Sequence, residues 1–242
     1  VGLFAPGKKC SAAATLVILN YFILPHQPDF DVVWCRGKVG EKISCSWVKQ
    51  IGSLGAKVLF KHRVTDVIID HNLQVKSLGC GGKIFDANTV IFSVGITGMK
   101  KIVASSPSLQ SYEEFRNLNN LGAIAVLATR LWFDRKSDIP RPSNACFGFD
   151  DTTQWTFFDL NALHDELKHQ IETVVEVDFD HANQYLNLND QDIVKIVQGY
   201  LASCIPEFKQ AKIIDSSVIR LANAETHFSP GTYRYMLPAK RS

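Results

Sequence analysis

Apolar positions at helical spacing open the chain, and alternation takes over farther along. From Ser11 to about Leu24 the pattern predicts a helix, with Ser11 as N-cap and Pro25 closing it. Its apolar residues (Ala12, Leu16, Val17, Leu19, Tyr21, Phe22, Ile23) run nearly all the way round, which predicts a buried helix. After a loop through Trp34-Cys-Arg-Gly37, Ile43, Trp47, Val48, Ile51 and Leu54 share one face of a second helix over Glu41 to Leu54, and Gly55 supplies the stop. From Lys57 the period changes. Lys57 to Lys61, Val64 to Asp70, Gln74 to Leu78 and Lys83 to Phe85 read as short strands joined by turns. Val90 to Val94 is a near-continuous apolar run of the kind found in strands covered on both faces. Gly95-Ile-Thr-Gly98 turns it into another helix.

The second half carries strands in runs. Ala123 to Phe133 is a long strand, with Cys146 to Phe149 and Gln154 to Asp159 as expected neighbours, and Thr173 to Phe179 alternates apolar and polar residues. Asp190 to Cys204 is an amphipathic helix stopped by Pro206, and Ile213 to Leu221 is a last strand. Runs of strands without strict βαβ alternation predict an α/β chain of mixed α+β character with a mixed or antiparallel sheet. Asp134 to Asn144, with two prolines, is a long surface connection.

Composition narrows the partners. In 242 residues, 26 Lys and Arg against 24 Asp and Glu leave a net charge of +2, which argues against a bulk electrostatic partner such as nucleic acid. A hydrophobic content of 46% suffices for one large core or two smaller ones. Six cysteines with no CxxC pair and no N-x-[ST] acceptor point to a reducing compartment. No apolar stretch is long enough to predict a transmembrane helix.

Most short motifs fail on inspection. Gly2 to Lys9 fits the phosphate-loop template except at its last position, where Lys9 replaces the hydroxyl that must reach Mg²⁺. Gly79-Cys-Gly81-Gly82 begins like a dinucleotide fingerprint but has Ile84 at the third glycine and leads into a strand, so a hairpin turn is expected. His164 and His169 are spaced wrongly for two metal ligands on one helix face, and no GxSxG elbow is present. Trp132, Phe133, Trp155, Phe157 and Phe158 all fall on strands, as core of a sheet face or as walls of an apolar pocket.

The order of elements says more than any motif. Trp34-Cys-Arg-Gly37, an amphipathic helix, Gly55-Ala-Lys-Val58, Arg63-Val-Thr-Asp-Val-Ile68, a hairpin, then Phe85-Asp-Ala-Asn-Thr-Val-Ile91 resembles the middle of the FAD-dependent amine oxidoreductases, in particular the branch with the carotenoid desaturases. Ala224 to Pro238 is similar to the stretch before that branch's second flavin motif. Asn88 stands where the family usually has Asp, and Ala56 where Gly is common. The resemblance implies an internal segment of an FAD enzyme, without the N-terminal GxGxxG and the C-terminal Ala-Gly-Asp, and therefore inactive and only a weak holder of FAD by itself. It also implies a partial FAD-binding domain over 1–105 with an inserted helix at 11–24, a substrate domain over 106–212, and a return to the first domain over 213–242.

Carried over by position, the resemblance implies cofactor contacts at Val64, through its backbone, and at Ser93, Val94 and Gly95 in the turn after the apolar run. It implies further contacts at Arg36 and Gly37 in the loop reaching toward flavin and substrate. Trp132, Trp155 and Phe157 are the expected substrate walls, and no catalytic side chain is assigned. The implied reaction moves hydride from a small hydrophobic or amine substrate to FAD, a step in which the flavin carries the chemistry. A non-catalytic binding or scaffold module with a vestigial flavin site is the alternative. Plastid residence follows from the desaturase-like branch alone, with cytoplasm as the other option. Peripheral membrane contact and oligomeric state are left open.

Overall fold

The computed structural model describes residues 7–22, 24, 33–146 and 154–236. Expectations that touch Gly2, Pro25 or Phe149 therefore lie outside the described residues. The helices are α1 (Ala12–Phe22), α2 (Cys45–Ser53), α3 (Ile96–Ser105), α4 (Pro107–Gln110), α5 (Glu113–Asn117), α6 (Leu160–Leu163) and α7 (Asp190–Cys204). The strands are β1 (Val64–Ile69), β2 (Val75–Cys80), β3 (Lys83–Asp86), β4 (Gly122–Phe133), β5 (Ser143–Cys146), β6 (Gln154–Asp159), β7 (Thr173–Asp180) and β8 (Ile213–His227). The chain divides into two compact units, one with residues 18–56 and 124–222, the other with 9–17, 57–123 and 223–242. These boundaries differ from the expected ones. Residues 33–56 pack with the later sheet because Arg36 pairs with Asp165 and the Trp34 ring meets Phe158 edge-on, centroids 5.0 Å apart. Residues 106–123 instead belong with β1 and α3.

In the smaller unit, β1, β2 and β3 form an antiparallel meander. Gly81 (φ +57°) and Gly82 (φ +85°) make the β2–β3 turn in the left-handed region, which is the role expected of that glycine cluster. The helix α3 lays Ile96, Met99, Ile102 and Val103 against Val67, with Leu109, Leu118 and Leu121 completing the core. The Ser106 hydroxyl fastens it by accepting the Val67 amide at 3.0 Å, in a buried site that needs its polar groups matched.

In the larger unit, the sheet order is β5-β6-β7-β4-β8, and β5/β6, β6/β7 and β7/β4 pair antiparallel. Period-2 alternation separates its faces. One face sends Leu127, Leu131, Phe133, Trp155, Phe157, Val175, Val177 and Phe179 against Ile193, Val197 and Leu201 of α7. This helix starts where expected: Asn189 caps it by accepting the Asp192 amide at 2.9 Å, and Asp190 and Asp192 suit its positive end. Buried Asn161 ties α6 to β7, donating to Leu167 and Glu172 carbonyls at 3.0 Å and accepting the Val174 amide at 2.7 Å.

Several expectations are corrected. Cys146 and Gln154–Asp159 are not the neighbours of β4, which pairs with β7 and lies beside β8. Lys57–Lys61 and Val90–Val94 form no strand: Lys61 sits at φ +60°, and Ile91 is 89% exposed. A strand covered on both faces needs neighbours to satisfy its backbone, and no described residue pairs with either segment. The helix α1 forms as expected but is not buried, since Leu16, Val17, Leu19 and Tyr21 stand exposed while Ala14 is covered. The helix expected over Glu41 to Leu54 forms too, and Trp47 and Val48 of α2, with Ile43 in the turn just before it, stand exposed.

Candidate functional site

The smaller unit holds an open cleft of about 830 Å³. One wall is the irregular segment Leu59–Arg63 running into Val64, the first residue of β1; another is Val90–Val94, leading through Gly95 into α3. The structure thus brings Val64, Ser93 and Val94 together. Gly95 follows at once as the N-cap of α3, extended at φ −63° and ψ 162°, with nothing within 4 Å of a Cβ placed on it. Lys101 and Ile102 of α3 and Leu78 of β2 line the cleft too.

The charged lining residues are Lys61, Arg63 and Lys101, with His62 between them and no carboxylate in the lining. Such a wall favours an anionic group. His62 donates its Nδ1 hydrogen to the Phe60 carbonyl at 2.8 Å, and its ring meets Phe85 edge-on. These basic residues were missed in the sequence. Lys61 closes an expected strand and Arg63 precedes the next, so neither reads as a ligand contact until the fold sets residues 61–63 across the cleft from Ser93.

Arg36 and Gly37 belong to the larger unit and have other neighbours. Both Nε (2.9 Å) and Nη2 (2.5 Å) of Arg36 reach Oδ1 of Asp165, and the guanidinium holds that carboxyl below its ordinary range. Gly37 is buried at φ +143°, and a Cβ there would lie 3.0 Å from Oε2 of Glu166 and 3.1 Å from Cε of Lys42. Backbone and space both require glycine at this point. Their role in this structure is to anchor the loop onto residues 165–166.

The three expected substrate walls part company. Trp155 and Phe157 are 1% and 2% exposed and stack on each other beneath α7, so they are core. Trp132 is half-buried on the opposite face, where it lines a second cavity of about 160 Å³ with Ala128, Thr129, Arg130, Glu176, Ser217 and Ile219. On that face Arg130 stands opposite Glu176 and forms an ion pair with it through Nε at 2.9 Å and through Nη2. Asp178, two residues along β7, has its carboxyl pushed up to about 7, mainly by burial and then by the charge of Glu176.

The sequence profile of the flavin-containing amine oxidoreductases matches residues 45–241. The chain belongs to that family. FAD is the cofactor this membership implies, and the basic, open cleft fits a dinucleotide bearing phosphates. The 15-cis-phytoene desaturase, chloroplastic/chromoplastic, of Glycine max is 22% identical over 223 residues, which is 90% of this chain and 38% of that protein. The corresponding Solanum lycopersicum protein is 20% identical over 234 residues, 94% of this chain and 39% of the relative. The chain thus spans about two fifths of the length of these curated relatives. The crystal structure of a candidate protoporphyrinogen oxidase from Exiguobacterium sp. 255-15 aligns with a TM-score of 0.54 at 10% identity, over 78% of this chain and 41% of that one. That likeness bears on fold alone.

Among the described residues no helix is long and apolar enough to cross a membrane, and no group of three or more His, Cys, Asp or Glu is placed to hold a metal ion.

Proposed function

We propose that the chain is part of an FAD-dependent oxidoreductase that takes hydride from a hydrophobic or amine substrate, and that the cleft of the smaller unit holds part of the dinucleotide. One observation carries the reading: Val64, Ser93 and Val94, separated in sequence, line the same cleft, with Gly95 next in line and basic side chains around them. The backbone of Val64 and the small residues of the turn let a ligand approach closely, while Lys101 and its basic neighbours balance phosphate charge. Bound there, the flavin would accept the hydride; the protein supplies binding, orientation and exclusion of water. Arg36 and Gly37 are left out of the cofactor set because their partners are Asp165 and Glu166. Trp132 stays as a substrate wall. Plastid residence is part of the proposal, on the chloroplast location in the relatives' names.

The test is FAD binding followed by flavin fluorescence. The expected result is saturable binding that weakens with salt and falls at least about tenfold in Lys101→Glu, as loss and reversal of one charge beside a phosphate would produce. Binding indifferent to both salt and the reversal would remove the cleft from the cofactor site. A complete protein with no flavin absorbance would overturn the reading and favour the non-catalytic alternative.

A further inference from the structure

Cys146 lies at the end of β5 and Cys204 at the end of α7, 58 residues apart in sequence, yet their Sγ atoms are 3.9 Å apart. The packing of the larger unit fixes that approach. Cys146 stands opposite Trp155 in the β5/β6 pair, and Trp155 meets Tyr200 of α7 edge-on at 5.4 Å. Cys204 follows Tyr200 by one helical turn and shares its face. The two sulfurs differ in access: Cys146 is 8% exposed and belongs to the core under α7, whereas Cys204 is exposed.

A disulfide holds its sulfurs about 2 Å apart, so closing this gap asks each sulfur to move by about 1 Å. Both residues sit where such a movement is tolerated. The strand β5 is at the edge of the sheet beside β6, and Cys204 is the last residue of its helix, ahead of Ile205 and Pro206.

We propose that Cys146 and Cys204 form a reversible disulfide that fastens the edge strand β5 to the end of α7, with a small-molecule disulfide such as oxidised glutathione as the oxidant. The order of steps follows from access. The Cys204 thiolate, its proton lost to solvent, attacks one sulfur of the oxidant; a mixed disulfide forms, the oxidant's own S–S bond breaks, and one glutathione thiolate leaves and takes up a proton. Cys146 does not start the exchange, because its sulfur is shielded and because burial, then the charge and hydrogen bond of Cys204, push its thiol up to about 12. In the mixed disulfide Cys204 carries no charge, and Cys146 attacks its Sγ at short range. The second glutathione thiolate leaves with the proton that Cys146 gives up. Two protein thiols are thereby oxidised to one disulfide, and one glutathione disulfide is reduced to two thiols. No step uses the flavin, so this site and the cofactor cleft stand or fall separately.

The test holds the reduced, folded chain with excess oxidised glutathione, quenches by alkylation, and maps the peptides by mass spectrometry without reductant. The expected map joins the Cys146 peptide to the Cys204 peptide, with the two thiol hydrogens lost. Cys146→Ala should stop at a glutathione adduct on Cys204. Cys204→Ser, a change at an exposed site, should leave Cys146 unmodified at least about tenfold longer than wild type. Closing so long a loop should shift the folding equilibrium about 30- to 1,000-fold toward the folded chain. That shift is read as a higher urea midpoint, returned to the reduced value by dithiothreitol, with Cys204→Ser treated alike and unmoved. An adduct that persists on Cys204 in the wild type, cross-links that join other cysteines instead, Cys146 modified in Cys204→Ser as fast as in wild type, or an oxidised midpoint no higher than the reduced one would each overturn the proposal.

Discussion

Truncating Trp155 to alanine is expected to destabilise the protein by about 3–5 kcal/mol, the range for removing a large aromatic from a close-packed core. Trp155 is 1% exposed, stacks on Phe157 with centroids 5.6 Å apart, and meets Tyr200 and Phe179 edge-on at 5.4 and 6.1 Å. Those rings come from β6, β7 and α7, so the void left by the indole would be walled by three elements that cannot all collapse into it. Trp132→Ala is the control. Its indole lies on the other face of the same sheet, half-buried beside an existing cavity, and its loss should cost less than half as much. Urea midpoints at constant slope measure both. A Trp155 variant no less stable than the Trp132 variant would put Trp155 outside the core and reopen it as a substrate wall.

The contrast between these tryptophans marks a limit of sequence reading. Both sit in aromatic-rich strands, and from the sequence either could be core or wall. The decision rests on which face meets α7, and that depends on register: Trp155 stands opposite Phe179, whereas Trp132 stands opposite Val174. Features governed by local chemistry were legible. The range of α7 followed from its periodicity with Pro206 behind it, and Gly81-Gly82 could be assigned to a turn. Features that depend on distant partners were not. Val90–Val94 has the composition of a central strand, yet composition supplies no neighbouring backbone. The helix α1 was read as buried for the same reason, since hydrophobicity gives a tendency to be covered and not the covering element.

The candidate site divides along the same line. Val64, Ser93, Val94 and Gly95 could be singled out because a family resemblance supplied their positions, and the fold then gathered the first three into one cleft. Lys101 and the Arg130–Glu176 pair had no such guide. Arg130 looks like an isolated charge in an apolar strand until antiparallel pairing sets Glu176 opposite it.

Asp178 gives the second large effect, and its direction follows from proton linkage. Its carboxyl faces Ala128 across β4 and Thr156 across β6, with Glu176 and Asp180 two residues to either side on β7 and Arg130 reaching in to pair with Glu176. Burial, reinforced by Glu176 and opposed by Arg130, raises the folded value from 3.8 to about 7. Between those values the folded chain holds a proton that the unfolded chain has released. Unfolding then gives up a proton, so stability falls as pH rises from about 4 toward 7 and levels off above it. At about 1.4 kcal/mol per unit, the full span sets an upper bound of about 4 kcal/mol, with a few kcal/mol the expected effect. Asp178→Asn matches the neutral carboxylic acid in size and cannot ionise. It should equal wild type near pH 4 and exceed it by a few kcal/mol at pH 8. Asp134, held down to about 2 chiefly by its hydrogen bond from Arg135, works in the opposite sense, losing its contribution as the medium turns acid. That background is common to both proteins and cancels in their difference. Paired urea titrations from pH 4 to pH 8 therefore isolate Asp178, and a wild-type-minus-variant difference that stays constant across the range would show that its carboxyl ionises as freely in the folded chain as in the unfolded one.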